Sequence, residues 1–87
     1  MNHDPFNGFE RIENGLPEWK GFAWFGLLLM ENRRNKTTIT ARAGGVYCED
    51  GKSMRFRIEP QTVAGDFSGS FDDYDVVGYI TDEKKRI

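Results

Sequence analysis

Three aspartates lie close together near the end of the chain, in the stretch FSGSFDDYDVVGYIT. Asp72, Asp73 and Asp75 fall within four residues and directly precede the apolar pair Val76 and Val77. Grouped carboxylates can coordinate a metal, take the acid and base roles of a reaction, or present negative charge to a partner protein. The rest of the sequence discriminates between these roles.

The surrounding residues favour neither metal binding nor catalysis. Zinc prefers histidine and cysteine ligands, and the chain has one of each, His3 and Cys48. A calcium loop needs spaced acids, a central glycine and a closing glutamate, which DDYDVVGYITDE does not supply. The stretch Gly51-Lys52-Ser53 ends like a phosphate-binding loop, but Val46 stands where that motif needs its first glycine. We therefore expect no metal, no cofactor and no enzymatic activity.

Charge is segregated along the chain although the net charge is only −2. Residues 33–57 hold seven basic and two acidic side chains, whereas residues 58–83 hold seven acids and no lysine or arginine. The last charged residues, Lys84, Lys85 and Arg86, are basic again. A sequence pI near 5.3 disfavours a general nucleic-acid-binding protein, because such proteins are usually strongly basic.

This segregation leaves three interpretations open. The basic and acidic strands could be neighbours that neutralise each other through cross-strand pairs. Alternatively, the acids could form one face that docks onto a basic protein surface. That face would comprise Asp66, Asp72, Asp73 and Asp75, with Tyr74 as an aromatic anchor. In the third interpretation a basic surface binds single-stranded nucleic acid, with Tyr47 or Trp24 as stacking partners. The arginines assigned to it are Arg33, Arg34, Arg55 and Arg57.

The pattern of apolar residues predicts a mainly β protein. SMRFRIE alternates apolar and charged residues, as a strand with one buried face does. KTTITARA and YDVVGYIT also read as strands, and Gly44-Gly45 reads as a tight hairpin connection. We expect a single antiparallel meander or a partly closed barrel of four to five strands. One short helical turn, over residues 9–13, is the only helix expected.

The run FAWFGLLLM is apolar at both odd and even positions, over residues 22–30. Gly26, the preceding Gly21 and the aromatic content favour a strand, with a buried helix as the alternative. Such a strand must be covered on both faces, within the fold or by a partner, so a homodimer through residues 22–30 is a second binding hypothesis.

Three segments follow from these patterns: an irregular N-terminal segment (1–18), a β-rich domain (19–82) and a basic tail (83–87). The polar, acidic start lacks the layout of a signal peptide. The longest apolar run, GFAWFGLLLM, is ten residues and too short to cross a bilayer. One cysteine allows no intramolecular disulfide. A cytoplasmic protein with no membrane contact is expected.

Two stretches resemble short proteins of unknown function that tailed bacteriophages and prophages encode. FERIENGLPEWKG is similar to their opening aromatic–Ile–Gly/Leu–Pro–Glu pattern, and YDVVGYI is similar to their closing strand. The resemblance implies a non-enzymatic phage accessory protein that works in the cytoplasm of a bacterial host cell. Together with the acidic stretch, it predicts an inhibitor or modulator that binds a host or defence protein through an acidic surface.

Overall fold

The computed structural model describes residues 6, 8–12, 19–47 and 54–86 of the chain. Within them lie five strands, and the only helical segments are two short 3-10 turns, Pro60–Thr62 and Phe71–Asp73. The strands are β1 (Glu10–Arg11), β2 (Phe22–Asn32), β3 (Thr38–Tyr47), β4 (Met54–Ile58) and β5 (Tyr74–Arg86). They form one open antiparallel sheet in the order β1-β5-β2-β3-β4. The predicted mainly β class is confirmed.

The sheet consists of a three-stranded meander and a last strand that a long connection brings back beside the first strand of the meander. β2, β3 and β4 follow one another as antiparallel neighbours, and β5 then returns to pair with the other edge of β2. The connection from β4 to β5 first runs along β3, where Ala64 and Thr40 exchange two backbone hydrogen bonds of 2.9 and 3.0 Å. β2 is therefore the central strand, with both of its edges paired.

One face of the sheet, the core face, carries the hydrophobic core. Trp24 is fully buried there and stacks on Trp19, with ring centroids 4.7 Å apart and planes 5° from parallel. Its Nε1 donates to Oγ1 of Thr81 at 2.9 Å, so the one polar atom of the indole is satisfied. Tyr47 Oη accepts the backbone amide of Trp19 at 2.9 Å. Trp19 thus covers the core face from outside the sheet.

The opposite face, the outer face, is only partly covered. Leu29 is 2% exposed, whereas Phe25 and Val46 are 44% and 41% exposed. The ring of Phe6 lies within 3.3 Å of where a Cβ of Gly78 would stand, and Gly78 is the partner of Leu29 in the sheet. The prediction of a strand at residues 22–30 is confirmed, and its second apolar face is covered at the Leu29 end but not around Phe25.

Two predictions about local structure are wrong. Gly44-Gly45 does not close a hairpin but lies inside β3, and neither glycine has a positive φ. The ring of Phe56 would lie 3.0 Å from a Cβ at Gly45, so the glycine provides space for an aromatic side chain on the next strand. Instead of a helical turn at residues 9–13, Glu10–Arg11 forms β1, because the edge of β5 offers backbone partners at Tyr79 and Gly78.

The segment boundaries also differ from the predicted ones. Residues 83–86, expected as a basic tail, continue β5 and pair with the start of β2. Residues 10–11 of the expected irregular segment belong to the sheet. The stretch Gly51-Lys52-Ser53 lies outside the described residues. In the described part of the chain, no helix is long and apolar enough to cross a membrane.

Candidate functional site

The candidate site is the segment 65–73 that leads into β5, called the acidic loop below. Two glycines give it its shape: Gly65 has φ +111° and Gly69 has φ +78°, in the region that side-chain-bearing residues rarely adopt. A Cβ at Gly69 would lie 2.3 Å from Oδ2 of Asp73, so the loop closes tightly on that carboxylate. The Ala64–Thr40 bridge fixes the chain where the loop begins.

Three aromatic rings form the interior of the acidic loop. Phe67 stacks on Tyr74, with ring centroids 5.4 Å apart and planes 11° from parallel, and packs against Phe71 at 4.8 Å. Tyr74 is 5% exposed, and its Oη accepts the amide of Ser68 at 3.0 Å. That hydrogen bond lowers the pKa of the Tyr74 phenol. A side chain this buried supports the loop from below, and Phe67, 39% exposed, is the ring that reaches solvent.

The predicted acidic residues fall into two groups. Asp73 and Asp75 are engaged within the protein: Oδ2 of Asp73 accepts the amide of Ser70 at 3.0 Å, and Asp75 pairs with Arg33 at 2.8 Å. Arg33 also donates to the backbone carbonyl of Asp72. Among the described residues, the carboxylates of Asp66 and Asp72 have no ion-pair partner. The structure therefore leaves two of the four aspartates available on the exposed surface of the loop.

The other acids of the 58–83 stretch do not join this face. Asp82 pairs with Arg42 at 2.6 Å on the outer face, and Glu83 lies 3.5 Å from Lys85. Asp75 and Asp82 are thus paired with basic side chains, but not through neighbouring basic and acidic strands: Arg33 lies in the turn between β2 and β3, and β2 lies between the strands of Arg42 and Asp82. All of these pairs are about half exposed, so each contributes only about 0–1 kcal/mol to stability.

The four arginines assigned to a nucleic-acid surface are not brought together. Arg33 and Arg34 lie in the turn between β2 and β3, beside the acidic loop. Arg55 and Arg57 lie on β4, which pairs with the opposite half of β3. The partner of Arg57 is Gly44, six residues along β3 from Thr38, or roughly 20 Å at the rise of a strand. Trp24, proposed as a stacking partner, is fully buried.

Sequence reasoning missed Phe67. The stretch FSGSF could have indicated an exposed phenylalanine. Only small residues lie between its two phenylalanines, and they are too small to cover both rings.

A second feature that the sequence did not indicate is the contact between Glu10 and Tyr79. The hydrogen bond to Glu10 is the main reason why the pKa of Tyr79 is raised to about 12, and burial adds to it.

The arrangement supplies groups that can contact another molecule. Within the described residues, no group of three histidine, cysteine or acidic side chains is placed to hold a metal ion. The acidic loop presents one exposed aromatic ring, Phe67, supported by Tyr74 and Phe71, and it also carries the exposed carboxylates of Asp66 and Asp72. Comparison of the chain with protein-family models, with curated proteins and with solved structures finds no match.

Proposed function

We propose that this protein is a non-enzymatic binding protein that docks onto a basic protein surface through its acidic loop. Phe67 is the anchor that enters a pocket on the partner, and Asp66 and Asp72 contact cationic side chains around it. Asp73 and Tyr74 hold the loop in shape, and Asp75 is paired with Arg33 at its rim. The observation that carries the proposal is the exposed ring of Phe67, stacked on a buried tyrosine, in a loop that carries two exposed acids with no described ion-pair partner.

The support beneath Phe67 matters because binding must restrict the residues at an interface. Restricting one mobile side chain costs about 0.5–1.5 kcal/mol. Phe67 is already held by Tyr74 and Phe71, and Tyr74 is held in turn by the amide of Ser68. A preorganised aromatic side chain surrounded by polar groups is typical of the residues that dominate binding energy.

The negative charge of the acidic loop indicates a partner with a basic surface. Asp66 and Asp72 flank the aromatic cluster, and opposite charge on a partner would both speed its association and fix its orientation. Arg33 neutralises Asp75 at the rim of this surface. The contact is therefore a small anionic surface around an aromatic ring, and it does not extend along the whole 58–83 stretch.

The resemblance of FERIENGLPEWKG and YDVVGYI to short phage and prophage proteins supports a setting for this binding. A phage accessory protein would meet its partner in the bacterial cytoplasm. The partner would be a host or defence protein, which the contact would inhibit or modulate. If that partner has a surface that normally binds nucleic acid, this surface would carry the positive charge that the acidic loop requires.

Affinity capture from a lysate of the bacterium that carries the gene tests the proposal. The tagged protein is compared with Phe67→Ala and with the double variant Asp66→Lys/Asp72→Lys. The control, Glu59→Lys/Glu83→Lys, changes the net charge by the same amount away from the loop. Loss of an anchor costs about 2 kcal/mol or more, so the Phe67 variant should bind at least about 30-fold more weakly.

Support requires one partner retained by the wild type and the control and lost by both loop variants. Folding of each variant is checked by the near-ultraviolet circular dichroism of the stacked Trp19 and Trp24. If folded loop variants capture the same proteins in the same amounts as the wild type, the acidic loop is not the binding surface.

A further inference from the structure

The far edge of the sheet has free backbone groups. Among the described strands, β4 pairs with β3 alone and is an edge strand. The amide of Glu59 donates to the carbonyl of Arg42 at 2.9 Å, and residues alternate in direction along an antiparallel strand. The backbone groups of Arg55 and Arg57 therefore face β3, and those of Met54, Phe56 and Ile58 face away from the sheet. Three N–H donors and three carbonyl acceptors line this edge.

The side chains of β4 divide by face and by charge. Arg55 and Arg57 are exposed on the outer face, and no described carboxylate pairs with either of them. Both line a cavity of about 290 Å³ whose other walls include Phe25 and Val46, two of the three most exposed large apolar side chains described. Phe56 points to the core face and remains only partly buried. The edge thus combines free hydrogen-bonding groups, two unpaired cations and incompletely covered apolar surface.

We propose that β4 binds an acidic, extended peptide segment of a partner protein, which adds to the sheet as a sixth strand. The backbone of Met54, Phe56 and Ile58 supplies the main-chain hydrogen bonds. Acidic residues at alternate positions of the segment face Arg55 and Arg57, and an apolar residue between them packs beside Phe56. In an antiparallel addition the arginines occupy non-hydrogen-bonded pairs, where facing side chains are closest. This surface is separate from the acidic loop, and the inference does not depend on the function proposed for that loop.

Charge excludes a second copy of β4 as the added strand. Antiparallel pairing of two copies centred on Phe56 would set Arg55 of each opposite Arg57 of the other, and facing like charges destabilise a strand pair. Positive charge on an edge strand commonly prevents such self-association. The same charges admit a strand with acids at two-residue spacing. Nucleic acid is the weaker choice, because Phe25 is the one exposed aromatic ring among the residues that line this cavity, and single strands bind through several rings on which successive bases stack.

Three capped heptapeptides serve as probes for the full-length protein. TVEVEVT has the required alternation, TEEVVVT has the same composition with adjacent acids, and TVKVKVT reverses the charge. Binding of TVEVEVT is expected at or below about 1 mM. It should slow amide hydrogen exchange at Met54, Phe56 and Ile58 at least about tenfold, because these amides gain hydrogen-bond partners. The other two peptides should leave that exchange unchanged.

Variants connect this binding to the arginines. Arg55→Ala/Arg57→Ala should weaken binding of TVEVEVT at least about fivefold, and raising the salt concentration should reduce that difference. The control Lys20→Ala/Arg34→Ala removes two exposed cations elsewhere and should change affinity by less than about twofold.

The inference is overturned if TVEVEVT fails to bind, binds no better than TEEVVVT, or binds without slowing exchange at the three edge amides. An oligothymidylate that binds through Arg55 and Arg57 in place of the peptide would assign the edge to nucleic acid. A dimer in sedimentation, with exchange at the three edge amides slowing as the protein concentration rises, would assign the edge to a second copy.

Discussion

The ion pair between Arg33 and Asp75 decides how much negative charge the acidic loop keeps at its rim. Arg33→Ala, Asp75→Ala and the double variant form a thermodynamic cycle for the pair. The cycle subtracts the contact between Arg33 and the carbonyl of Asp72, because that carbonyl is present in all four proteins. What remains is the coupling free energy between the guanidinium and the carboxylate.

The structure sets the expected magnitude of this coupling. Nη1 of Arg33 lies 2.8 Å from Oδ1 of Asp75, and the side chains are 52% and 57% exposed. Good geometry in a solvated setting gives a coupling of about 0.2–1 kcal/mol. The coupling should fall towards zero in 1 M salt, where the screening length is about 3 Å. Asp75 then behaves as a surface charge that a cationic partner can compete for.

Urea unfolding, followed by the fluorescence of the buried Trp24, measures the coupling at low and high salt. The Arg42–Asp82 pair is a matched control, since its atoms lie 2.6 Å apart and its side chains are similarly exposed. Its coupling should be of the same size. A coupling at Arg33–Asp75 above about 2 kcal/mol that persists in 1 M salt would refute this reasoning, and Asp75 would then be a structural ion-pair residue.

Three further predictions concern stability and loop shape. Gly26→Ala should lower the unfolding free energy by about 3 kcal/mol or more, because its Cβ would lie 2.0 Å from a carbonyl oxygen of β5; a melting temperature within about 2 °C of the wild type would contradict this. The wild type should have a higher unfolding free energy than Tyr79→Phe, and this difference should shrink as the pH rises from about 10 to about 12. The cause is that the folded protein holds the phenolic proton of Tyr79 more tightly than the unfolded chain does. If urea unfolding gives a constant difference across that pH range, this prediction is wrong. Gly69→Ala should displace the Asp73 carboxylate and weaken partner capture while destabilising the fold by about 1–2 kcal/mol, whereas Gly8→Ala, with a similar φ and no neighbour within 4 Å, should leave capture intact; equal capture by both variants would contradict the proposed loop geometry.

Local patterns predicted the strands because their physical causes are local. The alternation of SMRFRIE and the β-branched and aromatic content of YDVVGYIT correspond to β4 and β5. Local patterns gave the wrong prediction at Gly44-Gly45. A glycine pair can form a tight turn, but it can also lie in a strand against which aromatic side chains of the neighbouring strands pack. Only the facing Phe25 and Phe56, which are distant in sequence, decide for the strand.

The candidate site was less predictable because it depends on which strands become neighbours. Pairing of β5 with β2 places Asp75 beside the turn that holds Arg33, and this pairing is set by packing between segments more than forty residues apart. The sequence therefore identified the acidic stretch but not which of its carboxylates are neutralised. The role of Tyr74 beneath Phe67 depends in the same way on the folded loop.

Site-specific photo-cross-linking from position 67 tests most directly whether the acidic loop binds a protein. A photoreactive phenylalanine analogue replaces Phe67, and the protein is irradiated in cells of the organism that carries the gene. We predict one dominant adduct that excess unmodified wild type abolishes and that excess Asp66→Lys/Asp72→Lys protein leaves in place. The proposed function is contradicted if no adduct forms, or if wild type and the charge-reversed variant compete equally.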